Sequence, residues 1–92
     1  MATFVMFGRY TTNALKGISA ERTQAATKVI GDSGGEVKAA YALLGEVDLL
    51  LIVDFPSTEQ ALKASVELAK LTGIAFTTAP AITAKKFDKL VG

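Results

Sequence analysis

A chain of 92 residues, half of them hydrophobic, with ten Lys and Arg against nine Asp and Glu, has a modest core and a formal net charge of only +1. That balance excludes a charge-driven affinity for nucleic acid, anionic lipid or acidic substrates. With neither cysteine nor histidine in the sequence, disulfides, thiolate nucleophiles, iron–sulfur clusters and the commonest metal ligand are excluded, so no metal or cofactor is expected. Any catalysis would fall to Asp, Glu, Lys, Arg, Tyr, Thr or Ser.

Residues 2–10 combine aromatic and β-branched types on both sides, with Thr3, Val5, Phe7 and Arg9 on one and Phe4, Met6, Gly8 and Tyr10 on the other, which predicts an interior strand. Met1 to Phe7 lacks the basic and small-residue flanks of a signal peptide. No apolar run approaches the roughly 18 to 20 residues of a bilayer span, so the expected compartment is the cytoplasm, with no membrane partner. Ala14 to Ile18 can form one helical turn with Leu15 and Ile18 inward. Ser19 as N-cap, Glu21 in the first turn and an Ala25, Ala26, Val29, Ile30 stripe predict a helix over 20–32 that ends at Gly34-Gly35.

Glu36 to Leu44 alternates, with Val37, Ala39, Tyr41 and Leu43 on one face, and predicts a half-buried strand. A short turn at Gly45-Glu46 leads into Val47-Asp48-Leu49-Leu50-Leu51-Ile52-Val53-Asp54, whose unbroken aliphatic run fits a strand covered on both faces. Ser57 with Gln60 matches a capping box and opens a helix to Leu71, with Leu62, Ser65, Val66 and Ala69 as its stripe and Leu68 and Leu71 beside it. Ile74 to Ile82 predicts a last strand, with Pro80 confining it to an edge or an end. Ala84 to Val91 predicts a short helix with Phe87, Leu90 and Val91 free to pack.

The order strand, helix, strand, strand, helix, strand, tail predicts one α+β domain over residues 1–92, a ferredoxin-like βαββαβ fold. Its four-stranded antiparallel sheet would carry two helices on one face and be followed by a short C-terminal helix. Two helices cover one sheet face, yet the first and third strands are apolar on both. A second copy packed sheet against sheet, a dimeric α+β barrel enclosing a cavity, is the simplest remedy, so the expected partner is the chain itself.

Several features together suggest a family. Gly45-Glu46-Val47-Asp48 follows the hairpin, Arg9-Tyr10-Thr11 ends the first strand and Glu21-Arg22 opens the first long helix. Gly34-Gly35 ends that helix, Tyr41 lies in the second strand and Thr77-Thr78 in the fourth. In these features, across essentially its whole length, the chain resembles the GYD domain family of small bacterial and archaeal proteins. Val47 stands where the family's naming motif carries tyrosine. The resemblance implies a ferredoxin-like, dimeric α+β barrel without an established activity. Its wider architecture includes ligand-sensing domains of transcription regulators, cofactor-free monooxygenases and small lactone isomerases.

The candidate ligand-binding residues are Arg9, Tyr10, Tyr41, Asp48 and Thr77, with Asp48 also the candidate acid or base. Arg9, at the end of an apolar stripe, suits either an ion pair with Asp48 or a ligand carboxylate. Asp48 and Asp54 share a face but lie about 20 Å apart at about 3.3 Å per residue, so they cannot form a carboxylate pair. Thr77 sits in a row of small residues with Ala75, Ala79 and Ala81, which leaves room for a ligand or a partner backbone.

Two functions follow as expectations. One is a homo-oligomeric binding module holding a small, mostly apolar molecule between sheets. The other is a cofactor-free isomerase, decarboxylase or oxygenase in which Asp48 exchanges a proton, Arg9 anchors an anion and Tyr41 or Thr77 orients the substrate. An aliphatic third strand, lacking the stacking aromatics of RNA-recognition sheets, argues against nucleic acid.

Overall fold

Ser19 and Ser57, the two side chains expected to cap helices, both do so, and Thr83 caps a third. A computed structural model describes the whole chain, residues 1–92, as β1 (Ala2–Tyr10), α1 (Thr12–Lys16), α2 (Ala20–Asp32), β2 (Glu36–Ala42), β3 (Leu49–Phe55), α3 (Thr58–Thr72), β4 (Ile74–Ala81) and α4 (Ala84–Val91). Ser19 accepts the Arg22 amide at 3.0 Å, Ser57 the Gln60 amide at 3.2 Å and Thr83 the Lys86 amide at 3.2 Å, each supplying a first-turn donor with the acceptor it lacks within the helix. Gly34 and Gly73 follow α2 and α3 with φ of 79° and 74°, the left-handed conformation a side chain would oppose.

The strands form one antiparallel sheet in the order β2-β3-β1-β4, the ferredoxin-like arrangement. Pro80 sits on the edge strand β4, where its missing N–H breaks no ladder. α2 and α3 pack on one face over a core of Phe4, Met6, Leu51, Val53 and Phe55 from the sheet with Ile30, Ala61, Ala64 and Leu68 from the helices. Phe4 and Phe55 meet edge to face with centroids 5.8 Å apart, a favoured aromatic geometry.

The structure departs from the periodicity in four places. A β-bulge between Val37 and Ala39 breaks the alternation of β2: Val37 pairs with Val53 and Ala40 with Leu51 on the helix side, while Ala39 and Tyr41 pair with Ile52 and Leu50 on the other. The strand also stops at Ala42, leaving Leu43 and Leu44 exposed in the β2–β3 loop. On α3 the buried positions are Ala61, Ala64, Leu68 and Thr72, one step round the helix from the expected stripe, so Leu62, Val66 and Leu71 are exposed. The buried face of α3 is thus mostly small, with Leu68 as its one large side chain. In the turn after β1 it is Ala14 that is buried, not Leu15 or Ile18.

α4 follows β4 and is strongly amphipathic, yet none of its residues is buried and Phe87, Leu90 and Val91 face outward. No helix is long and apolar enough to cross a membrane.

The corrected α3 face gives a direct test. Leu68 is fully buried and Leu62 is 57% exposed. Leu68→Ala should lower stability in urea unfolding by about 2–5 kcal/mol. Leu62→Ala should change it by no more than about 0.5 kcal/mol. The opposite ranking would restore the stripe expected from periodicity.

Candidate functional site

The strand registers arrange the uncovered sheet face as four rungs running from β2 across to β4. The two middle rungs are Tyr41–Leu50–Phe7–Thr77 and Ala39–Ile52–Val5–Ala79, almost wholly apolar. Val5, Phe7, Leu50 and Ile52 are only half-buried there, because no helix packs over them as α2 and α3 do on the other face. β3 is therefore covered on one face within a single chain, where its aliphatic run suggested two.

Polar rungs bound this patch, and they differ. At one end Thr3 donates to Asp54 at 2.7 Å and Lys38 lies 3.8 Å from the same carboxylate, so the charges are satisfied internally. At the other end are Ala75, Arg9 and Asp48. The expected Arg9–Asp48 ion pair does not form: Arg9 is exposed and no carboxylate lies within ion-pair distance.

Asp48 has a different task. One residue past the last β1–β3 pair, Gly8–Leu49, its carboxylate accepts the Tyr10 amide at 2.9 Å. Its own backbone continues the sheet on both sides, donating to the Gly8 carbonyl at 2.8 Å and accepting the Leu43 amide at 2.9 Å. The half-buried Asp48 thus replaces a missing ladder partner with a charge-assisted hydrogen bond.

Arg9, Tyr41 and Thr77 share the uncovered face, but Tyr41 and Thr77 stand on opposite edge strands. At about 4.8 Å per strand they are about 14 Å apart, so a small molecule on one copy cannot touch both. Tyr10 is on the helix side, where the Arg22 guanidinium lies 5.7 Å from its ring centroid. A cleft of about 350 Å³ opens on the uncovered face between Val5, Ile52, Ala81 and Lys86, placing the first turn of α4 on that side of the sheet.

This fold matches the family model of the GYD domain, which aligns with residues 4–91. The chain belongs to the GYD domain family. Among solved structures, this GYD domain is similar to the leucine response regulatory protein of Mycobacterium tuberculosis, with a TM-score of 0.59 and 10% identity. The match covers 90% of this chain and 51% of the other, so this chain spans about half of that protein. At that identity the likeness is one of fold. No curated protein sequence matches the chain.

Arg22 is the residue whose placement the sequence signalled without its being read. It stands in the first turn of α2, where the helix dipole disfavours a cation. Its guanidinium is held by the Ala14 carbonyl and the Tyr10 ring.

The two charged residues at the open end of this GYD domain should respond differently to substitution. Asp48→Ala should cost about 1–3 kcal/mol and speed hydrogen exchange at the Tyr10 amide. Arg9→Gln should change stability by no more than about 0.5 kcal/mol. Unchanged exchange at Tyr10 in the Asp48 variant would remove the structural role assigned to that carboxylate.

Proposed function

We propose that this GYD domain works as a homodimer whose two uncovered sheet faces pack together and hold a small, mostly apolar molecule with an anionic end. The observation that carries this is the pair of apolar rungs from Tyr41 to Thr77 and from Ala39 to Ala79, left bare on a folded chain. A contiguous apolar surface of this kind on a soluble domain marks an interface or a ligand site. The location of α4 supports the same reading. It leaves the sheet on the uncovered side with Phe87, Leu90 and Val91 exposed, so a copy seated on that face would meet them.

Arg9 gives the ligand its polarity. Lys38 and Thr3 already satisfy Asp54 at the far end, whereas Arg9 keeps a free guanidinium beside Phe7 and Thr77, suited to a carboxylate. The small side chains of Ala75, Thr77 and Ala79 leave room beside it. The structural neighbour is named for its response to leucine, a small apolar amino acid with a carboxylate, which agrees with a ligand of this class. Enzymatic use of Asp48 as acid or base has weaker support, since its carboxylate already holds the Tyr10 amide.

A thermal-shift screen of small apolar carboxylates tests the binding role. A true ligand at 100 times its dissociation constant should raise stability by about 2.7 kcal/mol. Thr77→Trp should abolish the shift by filling the space, and Arg9→Gln should reduce it. An unchanged shift in both variants would move the ligand off this face.

A further inference from the structure

The second feature with the makings of a binding site lies on the other side of the sheet, within one chain. A cavity of about 130 Å³ sits between α2, α3 and the strands, lined by 14 residues of which ten are hydrophobic. Its cause is local. The bulge in β2 puts Ala40, rather than Ala39, on the helix side opposite Leu51 and leaves Ala42 opposite Leu49, where unbroken alternation from Val37 would place Tyr41; α2 contributes Ala26 to the same cavity, so small side chains line this part of it. The deeper wall is Ile30, Leu51, Leu68 and Phe76, and the exposed Thr23 and Thr27 form the outer lip.

The polar atoms of this cavity are almost all committed. Thr72 donates to the Leu68 carbonyl at 2.7 Å and accepts the Ile74 amide at 3.1 Å, while Thr27 donates to the Thr23 carbonyl and Thr23 to that of Ser19. The exceptions are the Tyr10 hydroxyl, which makes no hydrogen bond within the chain, and Arg22. Its guanidinium carries five N–H donors, of which one side-chain bond, to Ala14, is formed, and no carboxylate pairs with it. A half-buried cation facing an apolar cavity without a counter-ion is complementary to one kind of guest.

We infer that this cavity is a second binding site, independent of the sheet face, for a small aromatic monocarboxylate whose ring enters between Ala26 and Ala40 and whose carboxylate meets Arg22. An enclosed apolar cavity of about 150 Å³ holds benzene; this one, at about 130 Å³, is slightly smaller but open at the Thr23–Thr27 lip, so it suits at most a single ring with its charged group outside. A larger or doubly charged guest would leave apolar bulk or an unpaired charge outside.

Methyl NMR titrations with sodium benzoate and with toluene test this and separate it from the sheet-face site. Saturable benzoate shifts are expected at Ala26, Ala40, Leu51 and Leu68, with Val5, Ile52 and Ala79 unmoved. Arg22→Gln should weaken benzoate about tenfold or more while leaving toluene binding unchanged, because only the charged contact is lost. Ala26→Leu, or independently Ala40→Leu, should abolish both by occupying the space, and neither residue lies on the face proposed to dimerise. The inference is overturned if benzoate gives no saturable shifts, if the shifts fall only on Val5 and Ile52, or if Arg22→Gln binds benzoate as well as the parent does.

Discussion

One imbalance governs this molecule: four strands carry apolar side chains on both faces, and one layer of helices covers only one of them. On the covered side Phe55, Met6, Val53 and Leu68 are wholly removed from water and make the core. On the other side Val5, Phe7, Leu50 and Ile52 are held in register by the same hydrogen bonds, with no helix packed over them. Each strand presents alternate residues to opposite faces, so the pairing that builds the core also fixes these four on the uncovered side. In the homodimer we propose, a second copy would cover them, and for a domain of 92 residues it would also supplement a small core.

The bulge in β2 decides how the two sides differ. By inserting one residue between Val37 and Ala39 it moves Tyr41 out to the uncovered face and puts the exposed Ala40 and Ala42 on the helix side. A single backbone irregularity thus enlarges the aromatic surface on one side and opens a cavity on the other. Arg9 and Arg22 then stand on opposite faces of the sheet, each beside an apolar surface and neither matched by a carboxylate. Asp48 is the counterexample: a charged residue near the same end whose role is to complete the backbone hydrogen bonding of β1.

Much of the fold was legible in the sequence because its signals were local. Ser19, Ser57 and Thr83 announce helix starts through their own hydroxyls, Gly34 and Gly73 announce ends through their conformation, and β1 and β3 are too apolar to be read as loops. What was not legible depended on depth and register. Periodicity marks α3 as amphipathic but does not say whether Leu62 or Ala61 faces the sheet; the rotation at which α3 docks, burying Ala61, Ala64, Leu68 and Thr72, settles that. A bulge leaves no trace in an alternating pattern, so the alternation of β2 reads through without a break: it places Ala39 correctly beside Tyr41 but puts Val37 on the same face. Among the candidate residues, placing Arg9, Tyr41 and Thr77 on one side required only strand parity and the bulge. Separating Tyr10 from them was possible from parity alone, and Asp48 needed the three-dimensional position of the Tyr10 amide.

Membership of the GYD family and the fold shared with half of a leucine response regulatory protein agree with this architecture. Whether the bare face of the sheet is covered by a second copy is tested most directly by sedimentation velocity of the unmodified protein over a dilution series. A species of twice the 9.6 kDa chain mass that dissociates only on strong dilution is the predicted result. A single chain at every concentration, with the methyl groups of Val5 and Ile52 open to a water-borne relaxation agent, would contradict it.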